Sequence, residues 1–519
     1  MELIETQVLL SLCLVGVCSL ALYLYYIAWL RPESVRRKLR QQGITGPPPS
    51  SFLYGNSLEM KRLVIAEKSR GRRQGLVEIK HDYMPLVFPY FEQWRKAYGP
   101  VFAYSVGNVV ALHVSHPDVV KEISLCSSLD LGKATYLKKT HEPLFGQGIL
   151  KSNGDCWSHQ RKIIAPEFFS DKVKGMVDLM VDSATPLLKS WEEMVELGGG
   201  TAEIKVDEDL RCYSADVISR TCFGSNYIRG KDIFMKLRAL QKAVSRPNLL
   251  AEITGFRYFP TKRTRMVQRL NKEVNSLILK TVKEEGAGRE QCASQKNLLQ
   301  AILGSASDSL TSTSDSFIVD NCKNIYFAGH ETTAVATTWC LMLLGLHPEW
   351  QARARAEAAE LCGGRRSPDA NALQKMKTLT MVIQETLRLY PPGAFVARET
   401  LQEMEFGGVR IPRGVNIYVP ISTLHHDPDI WGPQAHRFNP ERFAKGVMGA
   451  CLLPNTYLPF GAGPRTCLGQ NFAMAELKVI LSLILLGFTF SLSPSYCHSP
   501  SLRLIVEPEH GVQLLVKKL

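Results

Sequence analysis

The chain has 519 residues, of which 45% are hydrophobic and 21% charged, a balance that suits an ordinary globular protein. Its net charge of +13 fits an anionic membrane surface or an acidic protein partner, while the absence of a basic-aromatic stripe or zinc-finger spacing speaks against nucleic acid. Thirteen scattered cysteines, an odd number with no C-x-x-C, argue against a disulfide framework and for a reducing compartment, and no N-x-S/T sequon contradicts this.

The first predicted element is apolar. Val8 to Leu30 is a run of 23 residues without a charge. As a helix it would be about 34 Å long, enough to cross a ~30 Å hydrocarbon core. Glu2 and Glu5 stand where a cleaved leader would carry basic residues, so a single-span anchor is the better reading. Tyr23, Tyr25, Tyr26 and Trp29 form an aromatic belt, and Arg31, Arg36, Arg37, Lys38 and Arg40 follow, which places the downstream chain in the cytosol by the positive-inside rule. The expected organisation is a short luminal N-terminus over 1–7, an anchor over 8–30, a basic and proline-rich hinge over 31–52, and one large domain over 53–519. Within the hinge, the three consecutive prolines of "GITGPPPS" (43–50) favour a stiff extended segment, a loop that can serve as a rigid spacer.

Beyond residue 90 most segments read as helices. "NGDCWSHQRKIIAPEFF" opens on an Asn/Asp start signal; a long helix runs from Asp315 toward Pro348; "LQKMKTLTMVIQETLRLYPP" ends at Pro391 and Pro392; and "LGQNFAMAELKVILSLILLGF" closes the helical part. β-type runs lie near 101–114, at 415–419 and near 503–516. The fold class is therefore mainly α with a small β portion. The long helix is buried core and not a second span, because its uninterrupted apolar part, Ala334 to Leu346, is too short.

Several short motifs are ambiguous singly. "AGHETT" puts the ionisable Glu331 beside Thr332 in an otherwise apolar helix, which is either a face turned to solvent or a used carboxylate. Glu385 and Arg388, spaced i and i+3, would ordinarily be a surface ion pair. Trp157 and Arg161 could be amphipathic packing, and "FNPERF" an ordinary loop. "FGAGPRTCLG" (460–469) is neither a dinucleotide fingerprint, since Thr466 occupies the third glycine position, nor a P-loop, since no Lys-Ser or Lys-Thr pair closes it. It leaves a cysteine at the mouth of a helix.

In order, WxxxR, AGxET, ExxR, PERF and a complete FxxGxRxCxG resemble the cytochrome P450 enzymes, the haem-thiolate monooxygenases, over the whole chain. The resemblance implies the P450 fold, with haem b between the long central helix and the cysteine loop. It implies Cys467 as the axial ligand of haem iron, with Phe460 beside it and Gly461, Gly463 and Gly469 allowing close approach and sulfur hydrogen bonds. Trp157, Arg161, Arg398 and Arg465 would be the propionate partners, and Glu385, Arg388 and Arg442 a supporting salt-bridge triad. Thr332 and Glu331 would be the catalytic hydroxyl and its acidic neighbour; their presence favours O2-dependent monooxygenation over peroxide rearrangement, and over a haem sensor or binding protein. With no flavin or nicotinamide fingerprint in the chain, the resemblance implies electrons from an NADPH-cytochrome P450 reductase at the endoplasmic reticulum membrane, docked through an acidic surface.

The resemblance also implies a hydrophobic substrate, walled by parts of 126–150, by Ile325 to Thr333 and by the turn "PPGAFVA". The stretches 153–169, 254–265 and 320–334 are similar to the plant clan that oxidises isoprenoid hormones, most of all its gibberellin-oxidising branch. That implies hydroxylation of a gibberellin precursor such as an ent-gibberellane diacid, at C-13 in preference to oxidation at C-16 or C-17; another isoprenoid or fatty acid is the alternative. A carboxylated substrate would want a cation at the pocket mouth. Lys138, Lys139 and His141 are candidates, against the ordinary reading of such lysines as solvated surface.

Overall fold

The computed structural model describes the chain except residues 1, 74–78, 80, 136, 138–139, 225–226, 246–260, 288–297, 307–313 and 366. Helices predominate, as expected. The apolar helix Glu2–Tyr25 passes through a π-turn, Tyr26–Leu30, directly into a basic helix, Arg31–Arg40. None of its apolar stretch is buried against the protein, as an anchor requires.

Within the segment expected to be a basic and proline-rich hinge, Arg31–Arg40 is helical and docks on the body. Leu39 is fully buried, and Arg36 donates from Nη1 to Ser105 Oγ at 2.7 Å. Trp29 stacks on Phe52 with ring centroids 5.3 Å apart. Only the Gly-Pro segment is extended, and there the Ala103 amide donates to the Thr45 carbonyl. Gly46 lies so close that an added Cβ would be 1.9 Å from the Ala103 oxygen. Packing, more than proline stiffness, fixes this connection.

Among the described residues, twelve strands form four small sheets. β1 (Val101–Val106), β2 (Val109–Val114), β3 (Leu131–Lys133), β5 (Phe395–Thr400) and β8 (Asn416–Pro420) make one sheet in the order β1-β2-β8-β5-β3. β1 and β2 are a hairpin closed by Gly107-Asn108, with Gly107 at φ +57°, the left-handed geometry a two-residue loop demands. β4 (Ala202–Lys205), β9 (Phe488–Leu492) and β12 (Gln513–Lys518) make the second sheet, and β6 (Met404–Phe406) with β7 (Val409–Ile411), and β10 (Pro500–Leu502) with β11 (Val506–Pro508), are two-stranded.

The long helix Ser314–Leu346 runs through the main core, where Trp339, Leu341 and Leu343 are fully buried, and packs on the helices Asp207–Ile218 and Gln470–Gly487. Two expectations need correction. The helix expected over 373–390 is broken at Met376 into Ala370–Lys375 and Lys377–Leu389. The break is imposed from outside: the Glu357 carboxylate accepts the amides of Lys377, Thr378 and Leu379 at 2.7–2.9 Å, capping the second helix across space. The "PPGAFVA" turn gives way at Phe395 to β5, whose pairing with β8 and β3 is non-local.

Candidate active site around Cys467

The cysteine loop is held by its own backbone. The Cys467 amide donates to the Phe460 carbonyl at 2.8 Å and the Thr466 amide to the Gly463 carbonyl at 3.0 Å. The expected closeness of all three glycines is met only at Gly463. It sits at φ +67°, and an added Cβ would be 2.1 Å from the Ser124 carbonyl oxygen. Gly461 needs its glycine for φ +68° alone. Gly469 has neither constraint; it contributes its amide, which donates to the Cys467 sulfur.

The Cys467 side chain is exposed at the surface of the loop, yet the protein massed around it disfavours its charged form and pushes the thiol up, and the Gly469 amide, Arg161 and Lys133 only partly offset this. The start of the helix at Gln470 therefore does not by itself make the sulfur a thiolate. A bound cation would do so.

Around the loop four cations converge. Arg161 donates from Nη1 to the Thr466 carbonyl at 3.0 Å, tying the helix Gly154–Ile164 to the residue before Cys467. Arg465 lies over the Trp157 ring at 3.9 Å, with Arg161 at 5.8 Å from the same ring. Both terminal nitrogens of Arg465 are buried without a hydrogen-bond partner among the described residues. Arg398 comes from β5, and Lys133, directly opposite on β3, completes the set. Burial, then Arg398 and Arg161, push Arg465 down to about 10, and the same surroundings together with Arg465 push Lys133 well below the usual lysine value. Such mutual repulsion is what a site for a dianion looks like before the anion is counted. Two carboxylates on one ligand, beside a sulfur that can bind iron, fit the donor set, so these residues suit haem b. Sequence reasoning missed Lys133 because "DLGKATYL" gives no sign that β3 carries it to Arg398.

The supporting triad is assembled as expected. Arg388 donates to both carboxylate oxygens of Glu385 at 2.7 and 2.8 Å, with both side chains wholly buried. It also donates to the carbonyls of His425, Ala435 and Arg437. Arg442 Nε lies 3.5 Å from Glu385 Oε1, and its Nη1 donates to the Trp431 carbonyl. The link to the cysteine loop is His425, which the motifs did not reveal. Its Nδ1 faces the Arg388 carbonyl at 3.1 Å, and its Nε2 accepts the Leu458 amide at 2.9 Å, two residues before Phe460.

On the central helix, Thr332 donates its hydroxyl proton to the Ala328 carbonyl at 2.8 Å, leaving its oxygen able to accept. Glu331 is buried and turned toward the helix Asp207–Ile218, where its Oε2 accepts from Arg211 Nε at 3.3 Å. Its Oε1 lies 3.3 Å from His330 Nε2. Burial disfavours its charge, but His330 and Arg211 together hold the carboxyl down to about 2. The solvent-facing reading of Glu331 is excluded. Arg211 also donates to Glu507 at 3.0 Å, and Glu507 accepts from the half-exposed Arg503 at 3.4 Å.

Of the pocket-mouth cations, Lys138 and Lys139 lie outside the described residues, as does 254–260 of the hormone-clan stretch. His141 is buried and stacks on Phe145.

A sequence model of the family described as Cytochrome P450 matches residues 77–516. Among curated proteins, the chain is 62% identical to cytochrome P450 714B3 of Zea mays, over 99% of this chain and 96% of the relative. It is 59% identical to cytochrome P450 714B2 of Oryza sativa subsp. japonica, over 99% and 97% of the two chains. Cytochrome P450 714A2 of Arabidopsis thaliana is 46% identical, over 97% of each.

Proposed function

The chain belongs to the cytochrome P450 family, monooxygenases that use haem b, O2 and NADPH through a reductase, and on that premise we propose that it hydroxylates a gibberellin or gibberellin precursor, at C-13 in preference to C-16 or C-17. Supporting the substrate class are the three stretches similar to the gibberellin-oxidising branch and a full-length likeness to plant 714 proteins. The observation that carries the chemistry is the convergence of Arg161, Arg398, Arg465 and Lys133 beside Cys467, with Thr332 on the central helix.

In this reading Cys467 is the iron ligand, and thiolate-ligated haem supplies the cleavage of the O–O bond. The chain's own residues do the rest. The Gly469 amide tempers the sulfur's charge through its hydrogen bond. Arg161, Arg398, Arg465 and Lys133 would neutralise the two propionates, with Trp157 lying against the Arg161 and Arg465 guanidinium groups as a further propionate partner. Phe460 packs at the edge of the loop. Thr332 accepts and passes a proton at its hydroxyl oxygen, while Glu331 holds the carboxylate from which that proton is replenished. Arg211 keeps Glu331 charged until a proton arrives, and Glu507 with Arg503 continues the polar path toward solvent. The N-terminal helix anchors the protein in the endoplasmic reticulum membrane with the catalytic domain on the cytosolic face, within reach of the reductase.

The test is incubation of microsomes holding this protein and a plant reductase with NADPH and a C-20 gibberellin precursor, reading products against 13-hydroxy and 16,17-oxidised standards. An NADPH-dependent C-13 alcohol is expected. No product, despite an intact reduced carbon-monoxide spectrum, would discard gibberellin as the substrate.

A further inference from the structure

Three side chains meet beside the Arg388 clamp, Asp82 coming from a segment far away in sequence. Asp82 precedes the short helix Met84–Val87, His426 follows the helix Ile421–His425, and His436 lies between the helix Pro428–Trp431 and the PERF turn. His426 Nδ1 is 4.0 Å from Asp82 Oδ1, His436 Nδ1 is 4.0 Å from Asp82 Oδ2, and the three ligand atoms all lie within 4.8 Å of one another.

The distances do not describe a finished protein interaction. At 4.0 Å neither imidazole is hydrogen-bonded to the carboxylate, and Nδ1 of each is buried without a hydrogen-bond partner among the described residues. For His426 the tautomer is fixed by its other nitrogen. Nε2 lies 2.9 Å from the Leu389 carbonyl, so it carries the proton and Nδ1 presents a lone pair toward Asp82. Tyr83 packs edge-on against the same ring, with centroids 5.4 Å apart, and holds its orientation. A backbone carbonyl behind an imidazole is the usual outer support of a metal-binding histidine. Burial also pushes His426 below the usual histidine value against the pull of Asp82, and the two histidines draw Asp82 below the usual carboxylate value against its own burial. A neutral imidazole and an ionised carboxylate are the protonation states a metal ion needs.

We propose that Asp82, His426 and His436 form a binding site for a divalent metal ion of the zinc class. Two nitrogens and one carboxylate oxygen suit zinc better than calcium or magnesium, which favour all-oxygen shells. Around a tetrahedral zinc the ligand atoms stand about 3.3 Å apart, so the observed cluster needs only a small inward movement. The Asp82 and His436 side chains are 38% and 40% exposed, which supplies an entry path and leaves a fourth position to water.

The site is placed to act on the clamp. His436 stands between Ala435 and Arg437, whose carbonyls both accept from Arg388, and His426 follows His425, whose carbonyl does the same. Fixing the two imidazoles to Asp82 therefore steadies three acceptors of Arg388 and ties them to the segment at Tyr83.

Full-length holoenzyme, stripped with a chelator and dialysed, is titrated with zinc alone against a chromophoric competitor, beside Asp82→Asn and His436→Gln. We expect one zinc equivalent in the native protein, bound at least about tenfold more weakly in each variant, with the reduced carbon-monoxide spectrum unchanged in all three. X-ray absorption at the zinc edge should show two imidazoles and oxygen. Native protein that binds no zinc at micromolar concentration, or variants that keep its full affinity, would overturn the proposal. So would a zinc shell with sulfur or a single imidazole.

Discussion

Lys133 of β3 and Arg398 of β5 face each other across an antiparallel ladder, two cations where cross-strand pairing favours opposite charges. Burial pushes Lys133 well below the ordinary lysine value, and Arg398, Arg465 and Arg161 push it further. An anionic ligand relieves this repulsion, so removing one cation should act oppositely on the two states of the protein. Lys133→Met is expected to stabilise the haem-free chain and to speed transfer of haem to an acceptor globin by about tenfold, the scale of one charge-assisted hydrogen bond. Both effects are readable on the same preparation, by thermal unfolding of apoprotein and by haem-transfer kinetics. Slower haem loss would remove Lys133 from the site.

Arg388→Lys keeps the charge of the clamp and loses its fork. Arg388 spends its guanidinium on both oxygens of Glu385 and three backbone carbonyls, which an ammonium cannot reach together. Leaving buried partners unsatisfied costs about 3–5 kcal/mol. The variant should be recovered with little haem, and what is bound should lose the thiolate signature in the reduced carbon-monoxide spectrum. His425→Ala should show the same spectral loss with better recovery, since it cuts only the link from Arg388 to Leu458.

Gly463→Ala and Gly469→Ala should separate two uses of glycine. A methyl at 463 meets the Ser124 carbonyl at 2.1 Å from a left-handed backbone, and both must give way. A methyl at 469 meets nothing and leaves the amide in place. Purified Gly469→Ala should carry near-native haem, and Gly463→Ala almost none. Equal haem content in the two would mean that the loop tolerates the displacement of Ser124.

Most helices were legible because their signals are local. The apolar period and the breaker Pro348 bound the central helix, which the structure begins at Ser314 and ends at Leu346. The site motifs were legible because each is a short run of fixed local spacing that resembles a known family's. What escaped was decided between distant segments. The break at Met376 depends on Glu357, β5 on β3 and β8, and the role of His425 on a carbonyl of Arg388 and an amide of Leu458. Glu476 was missed for a different reason. It falls on the apolar stripe Phe472, Glu476, Val479, Leu483, a mismatch visible in the sequence whose meaning depends on the helix packed over it.

That mismatch gives a pH dependence. Glu476 is wholly buried beside the Ser214 hydroxyl, and among the described residues no group makes a well-formed hydrogen bond to either of its oxygens. Burial pushes its carboxyl up to about 8, with Ser214 only partly opposing. The folded protein thus holds a proton that the unfolded chain releases near pH 4–5. Its contribution is fully present below that range and is lost as pH rises toward 8. Glu476→Gln removes the titration. The variant's thermal midpoint should exceed the native one at pH 8, with the gap closing toward pH 5. A gap independent of pH would place the ionisation elsewhere.

Thr332→Ala and Glu331→Gln test the two ends of the proposed proton path. Among the described residues the Thr332 hydroxyl is bonded only to the helix carbonyl of Ala328, so its loss should leave the fold intact and the haem content native. If its oxygen carries protons during turnover, NADPH consumption should persist while product falls and hydrogen peroxide rises several-fold. Glu331→Gln differs, because the amide cannot be drawn into an ion pair with Arg211 and leaves that cation to Glu507 alone. Turnover should slow by about 10²–10⁴-fold, the usual worth of a positioned acid–base group, with a larger solvent isotope effect and less peroxide than in Thr332→Ala. Tightly coupled turnover in Thr332→Ala would remove the hydroxyl from the path. An unchanged isotope effect in Glu331→Gln would leave the carboxylate a purely structural partner of Arg211.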